Sequence, residues 1–214
     1  MALNDHLDNY CERLGPEFWS EPINAVTNAA FLVAAFAAFM LWRRKVANDT
    51  PALVLTVIVA LIGIGSFLFH TFATRWAAIA DVVPIMVFIL VYLAFALRRF
   101  LELHWVVTIA IVIGFFVLAP MLGEVWAPIL GSSAAYLPAL LAIFVVGSFF
   151  VQKNRAYGLS ILVTGVIFTV SIGFRMADEP VCHGLAIGTH FMWHILNAVV
   201  LYRLLRVLIL HRAG

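Results

Sequence analysis

Four ionisable side chains, His70, Asp81, His190 and His194, lie inside runs of apolar sequence. The chain is 64% hydrophobic and 11% charged, with a mean hydropathy of +1.06, so such runs read as membrane spans. An ionisable group at bilayer depth costs at least ~2.5–3.5 kcal/mol, which makes each of the four a candidate for function. His190 and His194 stand four apart in GTHFMWH, one turn apart on one helix face, where two imidazoles can chelate a single metal ion. The same spacing also arises by chance, or when histidines serve backbone carbonyls. With His70 added, three histidines and an open position form the ligand pattern of a catalytic zinc.

Asp81 fits two roles beside such a metal: orienting a histidine or the metal's water, or accepting that water's proton as general base. Alternatively it is a buried carboxylate paired with Arg75 or Arg175. Ser66 precedes His70 by four residues in GIGSFLFH and shares its helix face. Its hydroxyl could donate to an oxyanion, or bond back to a carbonyl of its own helix. Nearer the front, Asp8, Glu12, Glu17 and Glu21 carry the oxygens a hard cation such as calcium requires, although acidic surface segments are commonly just solvated.

Elements of about 20 apolar residues must carry these groups. Windows of that kind fall near 23–42, 52–72, 77–97, 105–122, 133–151, 156–174 and 185–205. The fold class expected is an all-α membrane protein, a bundle of seven transmembrane helices, with residues 1–22 as an extracytoplasmic segment and 23–214 as the catalytic domain. The front of the chain has no basic leader or small-residue cleavage pattern, so the N-terminal segment is expected to stay attached. Of the 13 Lys and Arg residues, ten (Arg43, Arg44, Lys45, Arg98, Arg99, Lys153, Arg155, Arg203, Arg206, Arg212) fall on one side. Positive-inside asymmetry then puts the N-terminus outside and the C-terminus in the cytoplasm. His70, Asp81, His190 and His194 all reach the outer leaflet level, from three helices.

Cys11 and Cys182 fall on the same outer side, where a disulfide can persist, although two free thiols are also compatible with the spacing. RMADEPVCHG, residues 175–184, reads as an outer loop. Pro84, Pro120 and Pro138 lie in or near spans; Pro84 either kinks its helix to aim Asp81 or is a routine span proline. Asn24, Asn28 and Asn197 are expected to join helices by hydrogen bonds. Trp19, Trp76, Trp105 and Trp126 suit the aromatic belts, and His183 beside Cys182 is the one further histidine close to the cluster. The net charge of +2 reflects topology, and no basic patch suggests nucleic acid.

The set of motifs resembles the alkaline ceramidases, part of a wider superfamily of seven-span hydrolases that includes the adiponectin receptors. The resemblance rests on GSFLFH (65–70), the aspartate of ADVVPI (80–85), HFMWH (190–194), and DNYCE (8–12) followed by EPINAVTN (21–28). It covers both ends of the chain and spans two, three and seven, while spans four to six match in hydropathy alone. It implies a zinc held by His70, His190 and His194, Asp81 acting on its water, Ser66 steadying the oxyanion, and a Cys11–Cys182 disulfide. It also implies a calcium site on Asp8, Glu12 and Glu21. Two departures bear on that site: the aspartate stands three residues before Cys11 rather than two, and Leu14 replaces an oxygen ligand.

The function so implied is zinc-dependent hydrolysis of the N-acyl amide of a ceramide-like lipid to a fatty acid and a sphingoid base; the site is expected at the outer leaflet, and the short tails without a retention signal suit a bacterial inner membrane. The rival reading is a seven-span receptor or proton-coupled transporter that uses the His/Asp cluster without turnover. A retinal carrier is excluded because neither lysine, Lys45 or Lys153, lies within a span, and a two-histidine haem would require an absorption band.

Overall fold

Proline, glycine and side-chain capping divide the apolar runs into helices, and the computed structural model describes them over residues 2–213. The first run breaks in two, α1 (Pro22–Thr27) and α2 (Ala29–Lys45). At the break the Thr27 hydroxyl donates to the Ile23 carbonyl and the Asn28 amide donates to that of Asn24. Such local bonds compete with the helix ladder. Asn28 therefore works within its own segment rather than between helices. Pro51 lies in the first turn of α3 (Thr50–Phe72), where its missing N–H costs nothing, and Ala73 ends that helix in a left-handed conformation with φ 47°.

α4 (Arg75–Arg99) and α5 (Trp105–Leu130) follow, then a 3₁₀ turn over Gly131–Tyr136 and α6 (Leu137–Lys153), which opens on Pro138. The Asn154 side chain accepts from the Tyr157 N–H to start α7 (Arg155–Val181), and α8 (His190–Ala213) completes the chain. No strand occurs among the described residues.

Six helical stretches are long and apolar enough to cross a membrane, one of them the 49 residues Trp105–Lys153. That stretch doubles back on itself. The Lys153 ammonium donates to the Leu101 carbonyl at 3.2 Å and to the Glu102 carboxylate at 2.8 Å, so the end of α6 lies beside the start of α5. α3 packs between α2 and α4, α8 between α2 and α7, and α6 against α7. Leu55, Val59, Ile62, Phe88, Leu205 and Leu208 are among the buried side chains of this interior. α5 is peripheral: Thr108 and Gly123 are its only buried residues, against twelve on α8. Val106, Ile113, Val117 and Val125 of α5 are exposed, an outward face suited to hydrocarbon and not to water.

One end of the bundle gathers basic groups. There Arg99 forms a two-pronged bond with Asp49, at 2.6 and 2.7 Å, and Lys153 meets Glu102. At the other end residues 2–21 form a strap over the α3–α4 turn. The Leu7 N–H donates to Ala73 O, and the Arg75 and Trp76 N–H groups donate to Asp5 O and Leu3 O. Arg75 also pairs with Asp5 through its side chain, at 3.4 Å.

Two expected boundaries shift. α7 runs on to Val181, so most of the segment expected as a loop at 175–184 is helical. Two of its charged residues have partners inside the fold: Ser132 and Ser133 for Arg175, backbone N–H groups for Asp178. α8 starts at His190, not near 185, leaving the loop at 182–189.

Candidate metal centre

The end of α3 and the beginning of α8 meet at the strap end, and their facing turns carry the histidines. Asp178 sets where α8 begins. Its Oδ1 accepts from the Thr189 and His190 N–H groups at 2.7 and 2.8 Å, satisfying donors that a helix start leaves open. Its Oδ2 accepts from the Cys11 N–H at 3.0 Å. Gly188, at φ +60°, makes the turn into the helix, and any β-carbon there would collide with the Asp178 carboxylate and the Cys11 side chain. Cys11 and Cys182 are joined in a disulfide with Cα atoms 5.4 Å apart.

His70, His190 and His194 are 1–2% exposed, with ring centroids 4.6–5.1 Å apart. One ring nitrogen from each lies within 4.8 Å of the other two. His70 Nε2, His190 Nδ1 and His194 Nε2 are buried with no hydrogen-bond partner. The opposite nitrogens of two rings explain which lone pairs are free. His70 Nδ1 is 2.6 Å from the Glu21 carboxylate, an acceptor, so it carries the proton. His194 Nδ1 is 3.0 Å from the Thr27 hydroxyl, whose own hydrogen goes to the Ile23 carbonyl, so this nitrogen donates as well. Both Nε2 atoms are then bare acceptors facing a common space. Leaving three such atoms unpaired would cost about 1–3 kcal/mol each, and a single metal ion would satisfy all of them. The donor set fits a borderline cation such as zinc.

Other expected groups surround this cluster. Asp81 stands outside the three-nitrogen group on α4, where its backbone packs close to Gly65, the neighbour of Ser66 on α3. Arg75 is engaged with Asp5, and Arg175 is held by Ser132 and Ser133 at 2.8 Å each, over the rings of Tyr136 and Trp193. His183 is exposed and takes no part.

The carboxylates expected to bind calcium are not gathered among the described residues, where the three histidines form the one metal-capable group. Asp8 is exposed. Glu12 turns both oxygens to the Ile23 and Asn24 N–H groups at the start of α1. Glu21 is spent on Arg13, His70 and Asn24. Donors within the fold thus engage the Glu12 and Glu21 oxygens.

Several participants were not foreseen. Glu21 and Thr27 fix two imidazoles, Asp178 positions the third, and Tyr10 stacks on His190 with ring centroids 3.7 Å apart. The EPINAVTN run held the signal for the first two, a carboxylate and a hydroxyl six residues apart, but its partners lie far along the chain. Burial would raise the Glu21 carboxyl, but His70 and Arg13 outweigh it and hold the group below its ordinary value. Burial pushes the Tyr10 phenol up, so it remains neutral.

Below the cluster lies an apolar, partly open cavity. Ile62, Ile85 and Asn197 line it, each one turn deeper than Ser66, Asp81 and His194 on the same three helices, and Ala96 and Leu204 lie at its far end. No protein-family model matches the chain, and no curated protein matches it.

Proposed function

We propose that the chain is a seven-crossing integral membrane hydrolase that cleaves the amide of a ceramide-like lipid, its site toward the outer, periplasmic leaflet of a bacterial inner membrane. The doubling back of Trp105–Lys153 supports two crossings there, and the basic end supports an inward C-terminus. The observation that carries the reading is the trio of buried, unpartnered ring nitrogens of His70, His190 and His194 at the head of an apolar cavity.

Zinc, when bound by these three histidines, supplies a Lewis acid that polarises a carbonyl and makes water a competent nucleophile at neutral pH. The chain's own residues do the rest. Glu21 and Thr27 hold His70 and His194 in the tautomers that present a bare Nε2. Asp81 takes the proton of the attacking water at a carboxylate oxygen and returns it to the leaving nitrogen. Ser66, beside Asp81 at the α3–α4 crossing, donates to the oxyanion that forms on the amide carbonyl. The cavity takes the acyl chain, whose burial gains roughly 0.8 kcal/mol per methylene over water.

The test is metal analysis of purified protein together with hydrolysis of a long-chain N-acyl sphingoid amide in mixed micelles, with and without chelator. About one zinc per chain and loss of hydrolysis on chelation or in Asp81→Asn are expected. Undiminished turnover by His190→Ala, or a metal-free protein that couples a pH gradient to flux, overturns the reading in favour of a transporter.

A further inference from the structure

Arg13 is 5% exposed, and a buried guanidinium survives only if oxygens meet its N–H groups. Three do. Nε donates to the Glu21 carboxylate, Nη1 to the Gly15 carbonyl at 2.8 Å and Nη2 to the His70 carbonyl at 3.0 Å. One carboxylate and two backbone carbonyls converging on a positive centre are the donors that a hard divalent cation takes. The His70 carbonyl belongs to the last turn of α3, where carbonyls lack helical partners. The second Glu21 oxygen is on His70 Nδ1. The charge is delivered on the strap, two residues beyond the Cys11 disulfide, so it cannot exchange with solvent.

We propose that Arg13 is a tethered cation: its guanidinium fills the place among the Glu21, Gly15 and His70 oxygens that calcium would otherwise occupy, and through Glu21 it positions His70. Arg13 touches no reacting atom, so it is a positioning residue. The corner is indifferent to calcium because its positive charge is covalent. A dissociable ion would make the orientation of His70 depend on the medium; a guanidinium makes it constitutive. This holds whether or not the protein is a hydrolase.

Full-length protein, stripped of metals in detergent, is titrated with calcium alone while heat and melting temperature are followed. The parent is expected to show neither binding heat nor a melting shift. Arg13→Ala is expected to melt lower and to recover part of the loss in calcium, which enters the vacated oxygens; Arg13→Lys, a cation without the fork, is expected to fall between. A separate competition with a chromophoric chelator reads zinc affinity, expected to drop in Arg13→Gln through loosened Glu21, by less than the roughly 10- to 100-fold of losing the partner of a ligating histidine outright. Calcium binding by the parent overturns the proposal, and this arm stands even if Arg13→Ala fails to fold. Calcium leaving a folded Arg13→Ala unmoved overturns the cation-site claim, and an unchanged zinc affinity in Arg13→Gln overturns the positioning claim.

Discussion

Gly65 of α3 packs directly on the backbone of Ala80 in α4, where a β-carbon would collide with the Ala80 carbonyl and lie 3.2 Å from Asp81 Cα. That carbonyl is free for a reason in the sequence. Pro84, four residues on and inside α4, has no N–H to offer it. The close approach sets Asp81 beside Ser66, since each residue adjoins one side of the crossing. Gly65→Ala should therefore destabilise the fold by about 1–3 kcal/mol, toward the upper end because backbone cannot swing aside. Gly114→Ala, with nothing within 4 Å of the added methyl, is the control and should be neutral. Unfolding both variants in detergent checks the contrast.

Replacing Glu21 by Gln removes the carboxylate that accepts from His70 Nδ1. Metal affinity should fall by about 10- to 100-fold, the usual cost of losing a partner behind a ligating histidine. Chelator competition reads this without any assay of turnover, and an unchanged affinity would count against metal binding by His70.

The same residue gives an acid limit. Glu21 titrates below its ordinary value of 4.5 in the folded protein, so its charged form is the stabilised one. Its contribution is complete above about pH 4.5 and is lost as pH falls through the lower folded value. Melting temperature should drop in that acid window, and Glu21→Gln should flatten the drop relative to the parent.

Asp178 serves three N–H groups at once, those of Cys11, Thr189 and His190. Bonds to a charged acceptor are worth about 1.5–3 kcal/mol each, so Asp178→Ala should be among the most damaging single changes at this end. Reduction of the disulfide acts on the same corner. It closes 171 residues, for which loop closure in a free chain gives about 5 kcal/mol, an upper limit where a bilayer already confines the helices. Melting with and without reductant should show a smaller loss than that.

The meeting of the histidines was legible because hydropathy sets position along each apolar helix, and His70, His190 and His194 fall at matching ends of theirs. Their orienting partners were not. Glu21 is 49 residues from His70 and Thr27 is 167 from His194, separations that no local periodicity encodes. The continuation of α7 through Asp178 and Pro180 was hidden for a similar reason. Its charges read as a loop until Ser132, Ser133 and the α8 N–H groups are seen to answer them. Glu12 and Glu21 looked alike as acidic residues, and the two uses they are put to depend on which donors the fold delivers.

α5 and α8 have different surroundings. Twelve side chains of α8 fit into protein, whereas α5 answers mainly to lipid, which accepts any apolar shape of sufficient length. A saturation scan of the chain should accordingly be lopsided. Leucine, isoleucine, valine and phenylalanine should interchange almost freely along one flank, while the opposite flank discriminates single methylenes.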